Sequence, residues 1–120
     1  MRGGVNLENL FNYSTDETPI GTWINGDTIY RKVIDCGTMP NAGTKNVPHK
    51  IANVDKWVNI KGVFYSANKT ASNIPSVTPY SEYTAYQVGM DVDAENIIIT
   101  TGTDRRAYIA IVILEYTKNE

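Results

Sequence analysis

The side chains that could do chemistry in this chain of 120 residues are few. There is one histidine, His49, within Val47-Pro48-His49-Lys50-Ile51, and one cysteine, Cys36. Nucleophilic catalysis needs an imidazole beside an activated hydroxyl or thiol, and no Gly-x-Ser-x-Gly turn occurs. Zinc needs three or four nitrogen, sulfur or carboxylate ligands at reachable spacings, which one histidine and one cysteine do not supply. His49 therefore reads as a structural or surface histidine. Cys36 reads as a small semi-buried side chain that can form no internal disulfide.

Paired carboxylates cleave glycosides, and Asp91, Asp93, Glu95 and Asp104 fall near the chain reversals where such a pair would sit. The plainer role for these groups is to cap turns through bonds to their own backbone. Asp91 and Asp93 also resemble the start of a calcium loop, but the required Gly and distal Glu are missing. Arg2-Gly3-Gly4 lacks the Gly-Lys-Ser/Thr of a phosphate loop and no strand precedes it. The pair Arg105-Arg106 reads as solvation or a salt bridge, with anion binding as the alternative. This inventory predicts a protein that is not an enzyme and holds no metal or cofactor.

Tyrosine is more informative, with eight copies in the chain. Tyr80, Tyr83 and Tyr86 cluster where a loop-rich stretch ends. Tyrosine stacks on sugar faces and hydrogen-bonds at small entropic cost, and Asn68, Asn73 and Ser81 nearby suit hydroxyl groups. The receptor-contact candidates are therefore Asn68, Asn73, Tyr80, Ser81 and Tyr83. Against this stands simple packing, because strands enrich tyrosine.

The elements that must position these residues are strands. Good helix formers rarely cluster, and no long i, i+3, i+4, i+7 pattern appears. Thr22-Trp23-Ile24 and Thr28 to Ile34 flank Asn25-Gly26-Asp27, whose Asn-Gly supplies the positive φ angles of a tight hairpin turn. Asp35 to Asn46, with Gly37, Pro40, Asn41 and Gly43, predicts a long connection, and Val47 to Ile51 a short edge strand. Trp57 to Tyr65 alternates, with Val58, Ile60 and Phe64 on one face and Asn59 and Lys61 on the other. Ser66 to Tyr83 predicts an exposed loop with at most one short strand. Alternation resumes at Tyr86, Val88, Met90 and Val92, then come a turn at Asp93–Asn96, a strand at Ile97–Thr101 and a turn at Gly102–Asp104.

The final strand, from about Ala107 to Thr117, is apolar on both faces. Ile109, Ile111 and Ile113 point one way, and Tyr108, Val112, Leu114 and Tyr116 the other. Such a strand is either central to one sheet and covered on both sides, or it lines a subunit interface. All seven residues are interface candidates. Without crossover helices the fold class is all-β, an antiparallel β-sandwich or small barrel of about seven strands. Met1 to Asn12 reads as a short N-terminal segment or the stub of a fibre shaft, and residues 13–120 as a single β-domain.

Composition sets further bounds. A net charge of -2 gives no broad basic surface for phosphate backbones, so nucleic acid is not an expected partner. No apolar run approaches the roughly 18 residues that cross a bilayer, and Met1-Arg2-Gly3-Gly4 lacks the apolar core of a signal peptide. Neither membrane insertion nor an export signal is expected.

Two blocks carry a family resemblance. Residues Tyr13-Ser14-Thr15-Asp16-Glu17-Thr18-Pro19-Ile20-Gly21-Thr22-Trp23-Ile24-Asn25-Gly26-Asp27-Thr28-Ile29-Tyr30-Arg31-Lys32 form the first. Thr101-Gly102-Thr103-Asp104-Arg105, followed by Val112-Ile113-Leu114-Glu115-Tyr116-Thr117-Lys118, forms the second. They resemble the opening and closing strands of a domain found at the C-termini of bacteriophage and prophage tail-fibre and receptor-binding proteins. Val47-Pro48-His49-Lys50-Ile51 and Val58-Asn59-Ile60-Lys61-Gly62 also fit, while Ser66 to Tyr86 matches loosely. The resemblance implies a homotrimeric fibre tip in the virion, made in the bacterial host cytoplasm, that adheres to the host without catalysis or cofactor. Its implied partners are its own copies, the remainder of the tail fibre or baseplate, and a bacterial surface glycan or protein receptor. The alternatives are a structural trimerisation or attachment module without receptor contact and, third, a glycan-cleaving depolymerase.

Overall fold

The computed structural model describes residues 10–75 and 87–119. Among them are eight strands, one more than expected: β1 (Thr18–Thr22), β2 (Thr28–Thr38), β3 (Thr44–Pro48), β4 (Val54–Ser66), β5 (Ala71–Ile74), β6 (Val88–Val92), β7 (Asn96–Thr101) and β8 (Tyr108–Lys118). The protein is all-β, with two antiparallel sheets, an arrangement compatible with a β-sandwich. One sheet has the order β1-β2-β8-β4-β5, the other β3-β7-β6. Leu10 and Phe11 have helical backbone.

The chain divides into two compact units. The first comprises the described parts of Met1–Ile34, Ile51–Ile60 and Ile113–Glu120. It opens with the predicted hairpin. Gly26 has φ 89°, the Asn25 carboxamide oxygen accepts from Asp27 N at 3.0 Å, and Trp23 N donates to Asp27 O at 2.7 Å. These bonds draw Trp23 and Ile24 into the turn rather than the strand, and Ile24 is 90% exposed. Upstream, Val33 N donates to Ser14 O at 2.9 Å, laying the segment before β1 against β2.

The second unit comprises Asp35–Lys50 and the described parts of Lys61–Val112. In the small sheet, β7 pairs with both β3 and β6, with Val47 and Val92 both opposite Ile97. Ile97, Ile99 and Thr101 point inward and are buried with Val88, while Ile98 and Thr100 alternate to the other face. The rest of this core is Cys36, Met39, Phe64, Ile74, Ala110 and Val112.

The expected connection over Asp35–Asn46 is mostly strand. β2 continues to Thr38 through Gly37 at φ 68°, and β3 starts at Thr44, three residues before the edge strand read at Val47–Ile51. Polar side chains hid both, because here the main chain and one ammonium do the holding. Lys45 Nζ donates to Cys36 O at 2.8 Å and to Thr38 O at 2.7 Å. The remaining turn, residues 39–43, is fastened by Met39 N to Tyr108 O, Ala42 N to Thr103 O and Arg105 N to Pro40 O.

Candidate functional site

Two of the receptor-contact candidates share the β4–β5 hairpin, and Tyr80, Ser81 and Tyr83 lie outside the described residues. Asn68 sits in the connecting turn, where its carboxamide oxygen accepts from Ser66 Oγ and from Thr70 N. That oxygen organises its own turn. Asn73 stands exposed on the short edge strand β5, opposite Val63.

The interface candidates divide by parity along β8. Val112, Leu114 and Tyr116 have 0% exposure, as does Ala110, so these side chains are taken up by the chain's own core. On this face no surface of these residues is left for a partner. Tyr108 is half-buried, its ring edge-on to Phe64 at 5.4 Å. Ile109 is 40% exposed, and Ile111 and Ile113 are half-buried. Strand alternation puts Ile109 and Ile111 on the side opposite Tyr108, and Val63 and Tyr65 on the side opposite Phe64. Since Phe64 meets Tyr108 and β4 neighbours β8, these four apolar residues share one outward face.

Two of the carboxylates named for glycoside chemistry, Asp93 and Asp104, are occupied in turns. Asp93 accepts from Asn96 N at 2.7 Å and Glu95 N at 2.9 Å, bonds that hold its carboxyl below the ordinary range. Asp104 accepts from Arg106 Nε at 3.0 Å, Nη2 at 2.9 Å and N at 3.0 Å. Those bonds lower its pKa from 3.8 to about 2. Asp91 is exposed on β6. A general acid needs its pKa raised, and Asp93 and Asp104 are pushed the other way.

His49 is 1% exposed; its Nε2 lies 2.9 Å from Asp93 O and its backbone N donates to Glu95 O at 3.2 Å. It ties the end of β3 to the β6–β7 turn. Burial pushes the Cys36 thiol up from 9.0 to about 11. Arg105 lies with its guanidinium 5.5 Å from the ring centroids of both Phe64 and Tyr108, while Arg106 serves Asp104. Among the described residues no group of three or more His, Cys, Asp or Glu is placed to hold a metal ion, and no helix is long and apolar enough to cross a membrane.

Sequence reading missed one cluster in the first unit. Tyr116 of β8 stacks with Tyr30 of β2 at 6.2 Å and meets Trp57 of β4 edge-on at 5.7 Å. Its hydroxyl donates to Glu17 Oε1 at 2.6 Å, and Lys118 Nζ donates to Glu17 Oε2 at 3.0 Å. Buried in apolar surroundings and facing a carboxylate, the Tyr116 hydroxyl has its pKa raised. No local motif announces an arrangement whose ion pair spans 101 positions. Arg31 was missed for the same reason. It is 4% exposed; its Nη2 donates to Leu10 O at 2.9 Å and to Asn12 O at 3.1 Å, its Nη1 lies 3.5 Å from Glu115 Oε2, and its guanidinium stands 4.1 Å from the Tyr13 ring centroid.

No family model matches the chain, and neither a curated protein nor a solved structure shows significant similarity to it.

Proposed function

We propose that this chain is the C-terminal domain of a phage tail fibre, a β-sandwich that assembles as a homotrimer and binds a glycan on the bacterial surface. The observation that carries it is the outward face of β8 and β4 in the second unit, where Ile109, 40% exposed, lies on the same side as Ile111, Val63 and Tyr65. An aliphatic strip on the middle strand of a sheet is what a second subunit covers. Supporting it are the resemblance of the terminal blocks to fibre-tip domains and the commitment of Asp93 and Asp104 to turn structure. The fibre tip of the virion is the location this reading assigns, and avidity among three copies lets weak single contacts suffice. The mass of the protein in solution tests the assembly, with a trimer expected and a monomer overturning it. Staining of host cells tests adhesion, and staining that survives replacement of Ser66–Tyr86 by a Gly/Ser linker removes that segment as the contact.

One observation favours a second reading, a trimerisation or attachment module without receptor contact: the Asn68 carboxamide oxygen is engaged by its own turn rather than presented. That reading expects a domain that neither stains cells nor competes with phage adsorption, but whose deletion prevents fibre assembly.

A further inference from the structure

We propose that Tyr30 and Trp57, set on either side of the buried Tyr116 and rimmed by Glu17 and Lys118, form a carbohydrate-binding platform in the first unit, an assignment that rests on the glycan-adhesion reading above. The three rings stand on β2, β8 and β4, three adjacent strands, with Tyr116 in the middle. Tyr116 has no exposed surface, whereas Tyr30 and Trp57 on either side of it are half-buried and keep part of their surface in water. The rim is an ion pair with side chains 32% exposed at Glu17 and 21% at Lys118. Glu17 satisfies the buried Tyr116 hydroxyl on one side, while the pair keeps part of its surface in water on the other, beside the two half-buried rings.

The chemistry of the rim selects the ligand. Tyr116 and Lys118 fix the Glu17 carboxylate by three donor contacts, at 2.6, 3.0 and 3.2 Å. A carboxylate offers about four acceptor positions and an ammonium three hydrogens, so this rim can still accept from one neighbour and donate to another. A pyranose offers that combination: hydroxyls that donate and accept around a ring whose C–H face lies against an aromatic surface. A cationic ligand is less suited, because Lys118 Nζ already stands 5.7 Å from the Tyr30 ring centroid. An anion meets the Glu17 carboxylate.

The test is binding of the full chain to immobilised bacterial capsular, lipopolysaccharide and cell-wall polysaccharides. Titration with fragments of whichever binds follows, in a Trp23→Phe background where Trp57 is the sole tryptophan reporter. Trp57 emission is expected to change on titration, and Tyr30→Ala or Trp57→Ala to weaken binding by about tenfold. Glu17→Gln and Lys118→Gln lie at the partly exposed rim and keep the fold testable; each is expected to weaken binding about threefold or more. Replacing residues 76–86 by a Gly/Ser linker, which spares β5, is expected to leave affinity unchanged. Full affinity in both rim variants, with loss on replacing residues 76–86, overturns the platform while glycan adhesion stands. If the wild-type chain binds none of the polysaccharides, both fall together.

Discussion

Arg31 shows how a charge is kept inside a small β protein. Its guanidinium is flanked by two backbone carbonyls, a carboxylate and the Tyr13 ring, so desolvation is offset by several directed bonds. Arg31→Met should cost about 3–5 kcal/mol in urea unfolding, because both carbonyls lose this donor and Glu115 loses its charge partner. Arg31→Lys should recover little, since one ammonium lacks the planar fork that reaches all three. Cys36 illustrates the opposite case, a group kept neutral. Its folded pKa of about 11 exceeds the ordinary 9.0, so the stabilisation is complete below pH 9.0 and lost as pH rises towards 11. Iodoacetamide at neutral pH should label Cys36 after unfolding and leave the native thiol unmodified. Neither environment could be read from sequence, since the groups around Arg31 come from the segment ahead of β1 and from β8.

The β4–β5 hairpin depends on a residue with no side chain. A Cβ on Gly62 would lie 3.0 Å from Ile74 Cβ and 3.2 Å from its Cδ1, with Ile74 only 2% exposed. Gly62→Ala should destabilise by about 1–3 kcal/mol, and Ile74→Val in the same chain should give back part of that loss. In the turn before β8, Asp104 is held ionised with a pKa of about 2 against an ordinary 3.8. A lowered pKa contributes stability above pH 3.8, lost as pH falls towards 2, so Asp104→Asn should flatten that part of an acid-unfolding curve. Strands were legible where alternation was strong. Asn25-Gly26 marks the first hairpin, and the isoleucines at 97–99 and along β8 mark their strands. They were not legible where pairing comes from main-chain bonds alone. Thr44-Lys45-Asn46 and Ala71-Ser72-Asn73 carry no apolar stripe, so β3 was placed three residues late and β5 was legible only as room for at most one short strand between Ser66 and Tyr83. The candidate contacts fared likewise: Asn68 and Asn73 share a hairpin, whereas Glu17 and Lys118 needed a folded sheet to meet.

For the molecule as a whole, parity along β8 decides which residues remain for a partner. Sequence left both faces available; folding spends the even-numbered one on the core, and only Ile109, Ile111 and Ile113 remain for association. Ile109→Asp should therefore convert the proposed trimer to folded monomers, seen as a threefold drop in solution mass with unchanged circular dichroism. A variant that stays trimeric would place the interface elsewhere. The Arg31 knot bears on this same molecule under mechanical load. A tug on the backbone at Leu10 lands first on a guanidinium rooted in β2 and leaning on Glu115 of β8, with Ser14 O gripping Val33 N behind it. Tension is thereby spread sideways over two neighbouring strands, and the leading segment peels away only once that charged fastening has torn.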